Sequence, residues 1–292
     1  MRLRLSIGLV FLFALTGCDF IQSIFTAKPE IKFAAYGKDY QSKPDFAAIE
    51  NKFPLTTAEL GEITPSYLST LDQEQIDQIY ARLTAGPIPD DAFDGGLFFP
   101  RGGSGKLRLS EIVGGLPGLL IQLKGKKLDL IGEHLWKGKV FYRNDRVLRN
   151  RIEDINLLRT MGLVESEPQK IDVKGKVAWL LFPAKLYCGQ SLMDSRRESI
   201  IIDYAFTDEL PGYMEKPDFL AGRHGFKVRD EIRMVRPGFY LGRAYLDHIF
   251  ILNFTLVNDE IAKRDGEAFS KTGLSSEDCW TGTQPRKVMA AK

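Results

Sequence analysis

Cysteine, histidine and tryptophan are scarce in this sequence, with three of each among 292 residues. Three cysteines are too few for a disulfide-built scaffold. Cys18, Cys188 and Cys279 also stand apart from His134, His224 and His248, without the short paired spacings that hold zinc. No metal and no other cofactor is therefore expected. Neither charge sign is in excess, since 40 Lys and Arg face 38 Asp and Glu, so the electrostatic footprint of a nucleic-acid binder is missing and no nucleic-acid partner is expected. A nucleotide loop is excluded at Gly102-Gly103-Ser104-Gly105-Lys106, because Pro100 stands where the pattern needs glycine and Leu107 where it needs Ser or Thr. Ser104 fails the nucleophile-elbow pattern as well, with Lys106 at the second glycine position. What remains is ordinary for a globular chain: 44% hydrophobic and 27% charged residues, at a length that can bury a sizeable core.

The first residues depart from that average. Arg2 and Arg4 precede an apolar stretch from Leu5 to Leu15, and Leu15-Thr16-Gly17-Cys18 follows. A positive start, a short apolar core and small residues before a cut site are the parts of a secretory signal, and the core falls short of the roughly 20 residues a spanning helix needs. The Leu-Thr-Gly-Cys run resembles a bacterial lipobox. That resemblance covers residues 1 to 18 and implies cleavage at Gly17 and lipid on Cys18. Two or three acyl chains at about 0.8 kcal/mol per buried methylene would make the attachment permanent. Asp19 resembles the signal that retains enterobacterial lipoproteins at the inner membrane, so a periplasm-facing position there is favoured over the outer membrane. Loss of Arg2 and Arg4 leaves 38 residues of each charge sign, so acyl chains rather than general positive charge would hold the protein. In an oxidising envelope Cys188 and Cys279 are candidates for a disulfide, with two separate buried thiols as the other reading.

Residues 19 to about 65 lack sustained periodicity and read as a tether and irregular arm. From Leu71 to Leu83 the pattern is helical. Asp72 can cap the helix with Gln75 reaching back, Ile76, Ile79, Tyr80 and Leu83 form one apolar face, and Gly86-Pro87 stops it. Leu107 to Leu135 is rich in leucine and glycine and reads as two short helices, either covering the core or facing the membrane as a lid. Beyond Trp136 strands dominate. Lys137 to Arg143 and Arg146 to Ile152 flank Asn144-Asp145, and Ile171 to Val173 and Lys176 to Phe182 flank Lys174-Gly175. Ser199 to Phe206, Val228 to Val235, Phe239 to Leu246 and Ile249 to Val257 complete the set. The expected fold is mainly β with an α-helical N-terminal part (α+β), its antiparallel sheet curled into a calycin-like barrel of about eight strands, because closure removes exposed edges. The expected organisation is a signal peptide over 1–17, tether and arm over 18–65, a helical segment over 66–135, the barrel-like domain over 136–260 and a C-terminal tail over 261–292.

Leu135-Trp136-Lys137-Gly138-Lys139-Val140-Phe141, with a late Phe239-Tyr240-Leu241-Gly242-Arg243 strand, resembles small lipocalin-like barrels whose first strand carries Gly-x-Trp-x-Gly, although His134 stands where the first glycine belongs. The resemblance covers residues 130 to 258 and implies a barrel holding an apolar ligand, with no catalytic residues. Strand alternation puts Val228, Asp230, Ile232 and Met234 on one face, and Arg229, Glu231 and Arg233 on the other. An aspartate in an apolar row must be paired or line a cavity, and Arg243 on the next strand is one candidate partner. Asp203, beside Ile201 and Ala205, is a second such acid. Trp136, Asp203, Arg229, Asp230, Arg243 and Tyr245 are accordingly the candidate ligand-binding residues, against the simpler reading of an internal salt-bridge network. Three roles follow: binding a lipid or other apolar molecule, acting as an envelope scaffold for a protein partner, or, least favoured, catalysis if Asp203, Asp230, His224 and His248 converge.

Overall fold

The computed structural model describes residues 29–35, 44–98, 136–160, 162–275 and 279. The signal and lipobox, Asp19, the Gly102–Lys106 run, the Leu107–Leu135 segment and His134 lie outside the described residues. The chain divides into residues 1–31 and 32–292. Of the first unit only 29–31 are described, without regular secondary structure, and the remainder of the description concerns the second.

Four short helices open it: α1 Phe46–Lys52, α2 Thr57–Glu62, α3 Pro65–Leu68 and α4 Gln73–Arg82. Each starts on a side-chain cap, from Asp45, Thr56, Thr64 and Asp72 respectively, and Thr56 with Glu59 and Asp72 with Gln75 form capping boxes. The α4 reading from sequence agrees with its observed start. The expected irregular arm over 18–65 is corrected where described, since α1 and α2 fall within it. Their caps are local, but their apolar faces are too short to register as periodic.

The strands are β1 Asp91–Phe98, β2 Trp136–Tyr142, β3 Val147–Ile152, β4 Lys170–Val173, β5 Lys176–Gln190, β6 Glu198–Asp203, β7 Val228–Arg236, β8 Phe239–Leu246 and β9 Ile249–Val257. Every pairing is antiparallel, in the order β3-β2-β1-β9-β8-β7-β6-β5, and β3 pairs back with β5 to close an eight-stranded barrel. β4 is a ninth strand appended to the first part of β5. Between β3 and β4 lies α5 Asn156–Thr160, and between β6 and β7 lies α6 Glu215–Asp218.

β5 runs past Pro183, where the sequence pattern stops at Phe182. Phe182 takes φ +51 and its N–H donates to Asp218 at 2.6 Å, while the β3 register slips opposite it. A proline is tolerated at such a bulge, and the bend lets one strand exchange β4 for β6. β1 is a strand within the span 66–135 expected to be helical. Its Gly95 is required because the Trp136 indole lies where a side chain would stand. Finally, α7 Asp259–Thr272, capped by Asn258 and ended by Gly273 at φ +68, replaces the start of the expected tail. It presses on the β7–β8 turn at Gly238, φ +75, where a side chain would strike Ala262. Among the described residues no helix is long and apolar enough to cross a membrane.

Candidate functional site

Side chains on alternate positions of the strands build two separate polar clusters. Inside the barrel, Lys139 of β2 meets Asp230 of β7. The Lys139 ammonium donates to Asp230 Oδ2 at 2.9 Å, Tyr204 OH at 2.7 Å and Asn150 Oδ1 at 2.9 Å. Asn150 Oδ1 also accepts from Trp136 Nε1 at 2.8 Å, and its Nδ2 donates to Tyr204 OH and to the Phe182 carbonyl. Trp136, Tyr204 and Phe254 surround the ammonium, with ring centres at 5.4, 5.4 and 5.5 Å. Burial pushes the Lys139 amine down, but Asp230 and the Tyr204 hydroxyl more than offset this, and the group is held above its ordinary value. It is therefore an ammonium with all three protons committed, which removes it as a nucleophile. Burial pushes the Tyr204 hydroxyl up to about 12, so it stays protonated. Phe93, Phe141, Leu148, Ile200, Ile202 and Ile232, all buried, pack around this cluster and towards one end of the barrel.

The second cluster lies on the outer face, beneath α4. Arg243 pairs with Asp77 of α4, donates to Tyr245 OH at 2.9 Å and stacks on Phe250 at 4.2 Å. Asp77 and Tyr245 outweigh the effect of burial and hold the Arg243 guanidinium above its ordinary range. Arg233 is fully buried and donates to the carbonyls of Tyr80, Glu198, Asp194 and Arg197 and to Ser199 Oγ. Arg82 and Arg236 repeat this device, the first on Phe53, Gln78 and Lys32 carbonyls, the second on Leu60 and Ile63. Glu231 accepts from Leu192 N and from Arg229, while its Oε2 has no partner among the described residues.

The six residues singled out from sequence therefore divide. Trp136 and Asp230 lie inside the barrel; Asp203, Arg229, Arg243 and Tyr245 lie outside it. Asp203 accepts from Tyr187 OH at 2.8 Å. The expected Asp230 to Arg243 pair is corrected, because the register sets Arg243 opposite Glu231 and Ala244 opposite Asp230, so the two charges point to opposite faces. A ligand inside the barrel would meet the network of Lys139, Asn150 and Tyr204 with the Phe254 ring beside it. Asp203, Asp230, His224 and His248 do not converge: His248 is exposed in the β8–β9 turn and His224 in the loop before β7. Lys139 and Asn150 escaped notice although each shares an apolar row, with Phe141 and with Leu148 and Ile152, and so carries the same signal as Asp230. Among the described residues no group of His, Cys, Asp or Glu could hold a metal ion.

A third feature is a cleft of about 560 Å³ at the barrel end covered by α7. Its apolar walls are Pro87, Phe93, Met234, Tyr240, Ile261 and Phe269, and its charged residues are Arg143, Arg264 and Asp265. Phe93 and Tyr240 meet edge to face at 5.8 Å, and Tyr240 OH donates to the Pro87 carbonyl at 2.6 Å. Nearby, Cys188 and Cys279 form a disulfide with Cα atoms 5.4 Å apart, and Cys279 N–H donates to the Gly86 carbonyl. The bridge spans 91 positions, a closure worth about 4–5 kcal/mol in the chain-entropy picture.

No protein-family model matches the chain. No curated protein matches it. A crystal structure of a protein from Thermomonospora curvata is similar over 66% of this chain and 91% of that chain, at 17% identity and a TM-score of 0.34. The barrel assignment rests on the strand pairing of this chain itself.

Proposed function

We propose that this protein is a bacterial envelope lipoprotein, anchored through Cys18, facing the periplasm at the inner membrane, and carrying a lipid or similar apolar molecule in the cleft beneath α7. The cleft is the observation that carries the reading: its volume lies within the range of small-molecule sites, and its lining combines apolar side chains with charged ones. Leu15-Thr16-Gly17-Cys18 and Asp19 support the anchor and its side. Protein extracted from its own membrane is expected to retain an amphiphile detectable by mass spectrometry, and Ala268→Trp, which narrows the cleft, should lose it. Absence of any bound molecule from the unaltered protein overturns the ligand reading. For the anchor, Cys18→Ser should abolish incorporation of labelled palmitate and release the protein from the membrane fraction. Unchanged labelling and fractionation would sink it.

The hydrogen-bonded network of Lys139, Asn150, Tyr204 and Asp230 inside the barrel favours a second reading, an envelope scaffold. Cross-linking in cells that yields one abundant protein partner, together with an empty cleft, selects the scaffold.

A further inference from the structure

The charges that face the cleft point to the head group of its occupant, an inference that rests on the ligand reading above. Three charged side chains line the cleft. Arg264 and Asp265 neutralise each other through two hydrogen bonds of 2.8 Å. Arg143 is different. Its backbone N–H donates to Asp90 Oδ1 at 3.1 Å and its Nε to the Ile88 carbonyl at 2.5 Å. The chain segment entering β1 therefore holds the guanidinium in place, and no carboxylate forms an ion pair with it among the described residues. The Nη edge remains, the edge that grips two oxygens of a carboxylate or phosphate at once. Arg143 is partly buried, where water screens a charge less than at the open surface. The cleft thus presents an apolar wall and one uncompensated positive charge.

We infer that the cleft takes a single-chain amphiphile with an anionic head, the carboxylate or phosphate meeting Arg143 and the chain running between Phe93 and Met234 on one side and Ile261 and Phe269 on the other. A neutral head leaves the fork of Arg143 unused, and a cationic head meets repulsion.

The test uses the full-length protein in membranes with three photo-reactive probes of equal chain length: a diazirine-bearing palmitate, the corresponding hexadecyl phosphate and the corresponding hexadecanol. Peptide mapping reads labelling of the cleft. The two anionic probes are expected to label it roughly tenfold more than the alcohol, the equivalent of one charge-assisted pair. The stronger of the two identifies the head as carboxylate or phosphate. Arg143→Gln should bring the anionic probes down to the level of the alcohol and leave alcohol labelling unchanged. Where that variant folds poorly, salt titration of the unaltered protein serves instead: labelling by the anions should fall with ionic strength and labelling by the alcohol should not. Equal labelling by all three probes in the unaltered protein overturns the anionic head while sparing the apolar cleft. Cleft labelling by none of them overturns both.

Discussion

One strand, β7, serves two regions of opposite character. Its inward residue Asp230 meets one cation in an aromatic box, whereas its outward residues Glu231 and Arg233 belong to a network spread over helices, loops and three strands. The inner cluster is closed. Lys139 spends its three protons, Asn150 both its ends, and Tyr204 accepts two hydrogen bonds. The outer one is held chiefly by arginines donating to backbone carbonyls, and it leaves Glu231 Oε2 without a partner among the described residues. The inner cluster therefore ties β2, β3 and β7 across the barrel and resists a one-residue slip, which would turn Asp230 outward. The outer network fastens the helical layer to the barrel.

The largest effect should come from breaking the inner pair. Asp230→Ala leaves a buried ammonium uncompensated and is expected to cost about 3–5 kcal/mol in urea denaturation. The double change Lys139→Met with Asp230→Leu should recover most of that loss, because a buried ion pair repays little more than its own desolvation. A double variant as unstable as Asp230→Ala would show that the cluster matters through its hydrogen bonds rather than its charges.

Breaking the outer network should be milder and more local. Arg233→Met strands several carbonyls and is expected to cost about 2–4 kcal/mol. Amide exchange should accelerate first in α4 and only later in β2 and β3. Uniform acceleration would deny the division between the two regions.

Asp218 supplies a pH-dependent test at the edge of the inner region, where it holds the Phe182 bend. Burial pushes its carboxyl up to about 6 from the ordinary 3.8, against hydrogen bonds from Phe182 N and Met214 N. The unfolded chain therefore releases this proton first as pH rises. Its contribution to stability is complete below 3.8 and is lost as pH rises through 6. Relative to Asp218→Asn, the protein should lose about 2–3 kcal/mol between pH 4 and 7, and a parallel course for the two proteins would refute it. The smallest effect is expected at the helical layer's own start: Asp72→Ala removes one cap of α4 and should cost about 1 kcal/mol by thermal denaturation, without altering the inner cluster.

Much of the fold was legible because it is written in short range. Asp72 and Gln75 announce α4, Asn144-Asp145 and Lys174-Gly175 announce their hairpins, and alternation along β7 sorts Asp230 from Arg233. Other elements were hidden for equally physical reasons. In β1 the glycine that accommodates Trp136 weakens the strand pattern. α7 carries its cap at Asn258 and its stop at Gly273, but so few apolar residues that it reads as tail. Pro183 hides the second half of β5 because a proline breaks a strand unless a bulge receives it.

The sequence by itself determined which residues face which way, since alternation and caps depend on neighbours only a few positions apart. It also marked Cys18 as the expected anchor of a chain whose charges nearly balance. Only the tertiary structure decided that Asp230 meets Lys139 and not Arg243, that Cys188 reaches Cys279, and that a cleft of about 560 Å³ opens between the β7–β8 turn and α7. Partners 91 positions apart, as Lys139 and Asp230 and the two cysteines both are, are chosen by strand register and closure, and no local pattern encodes those.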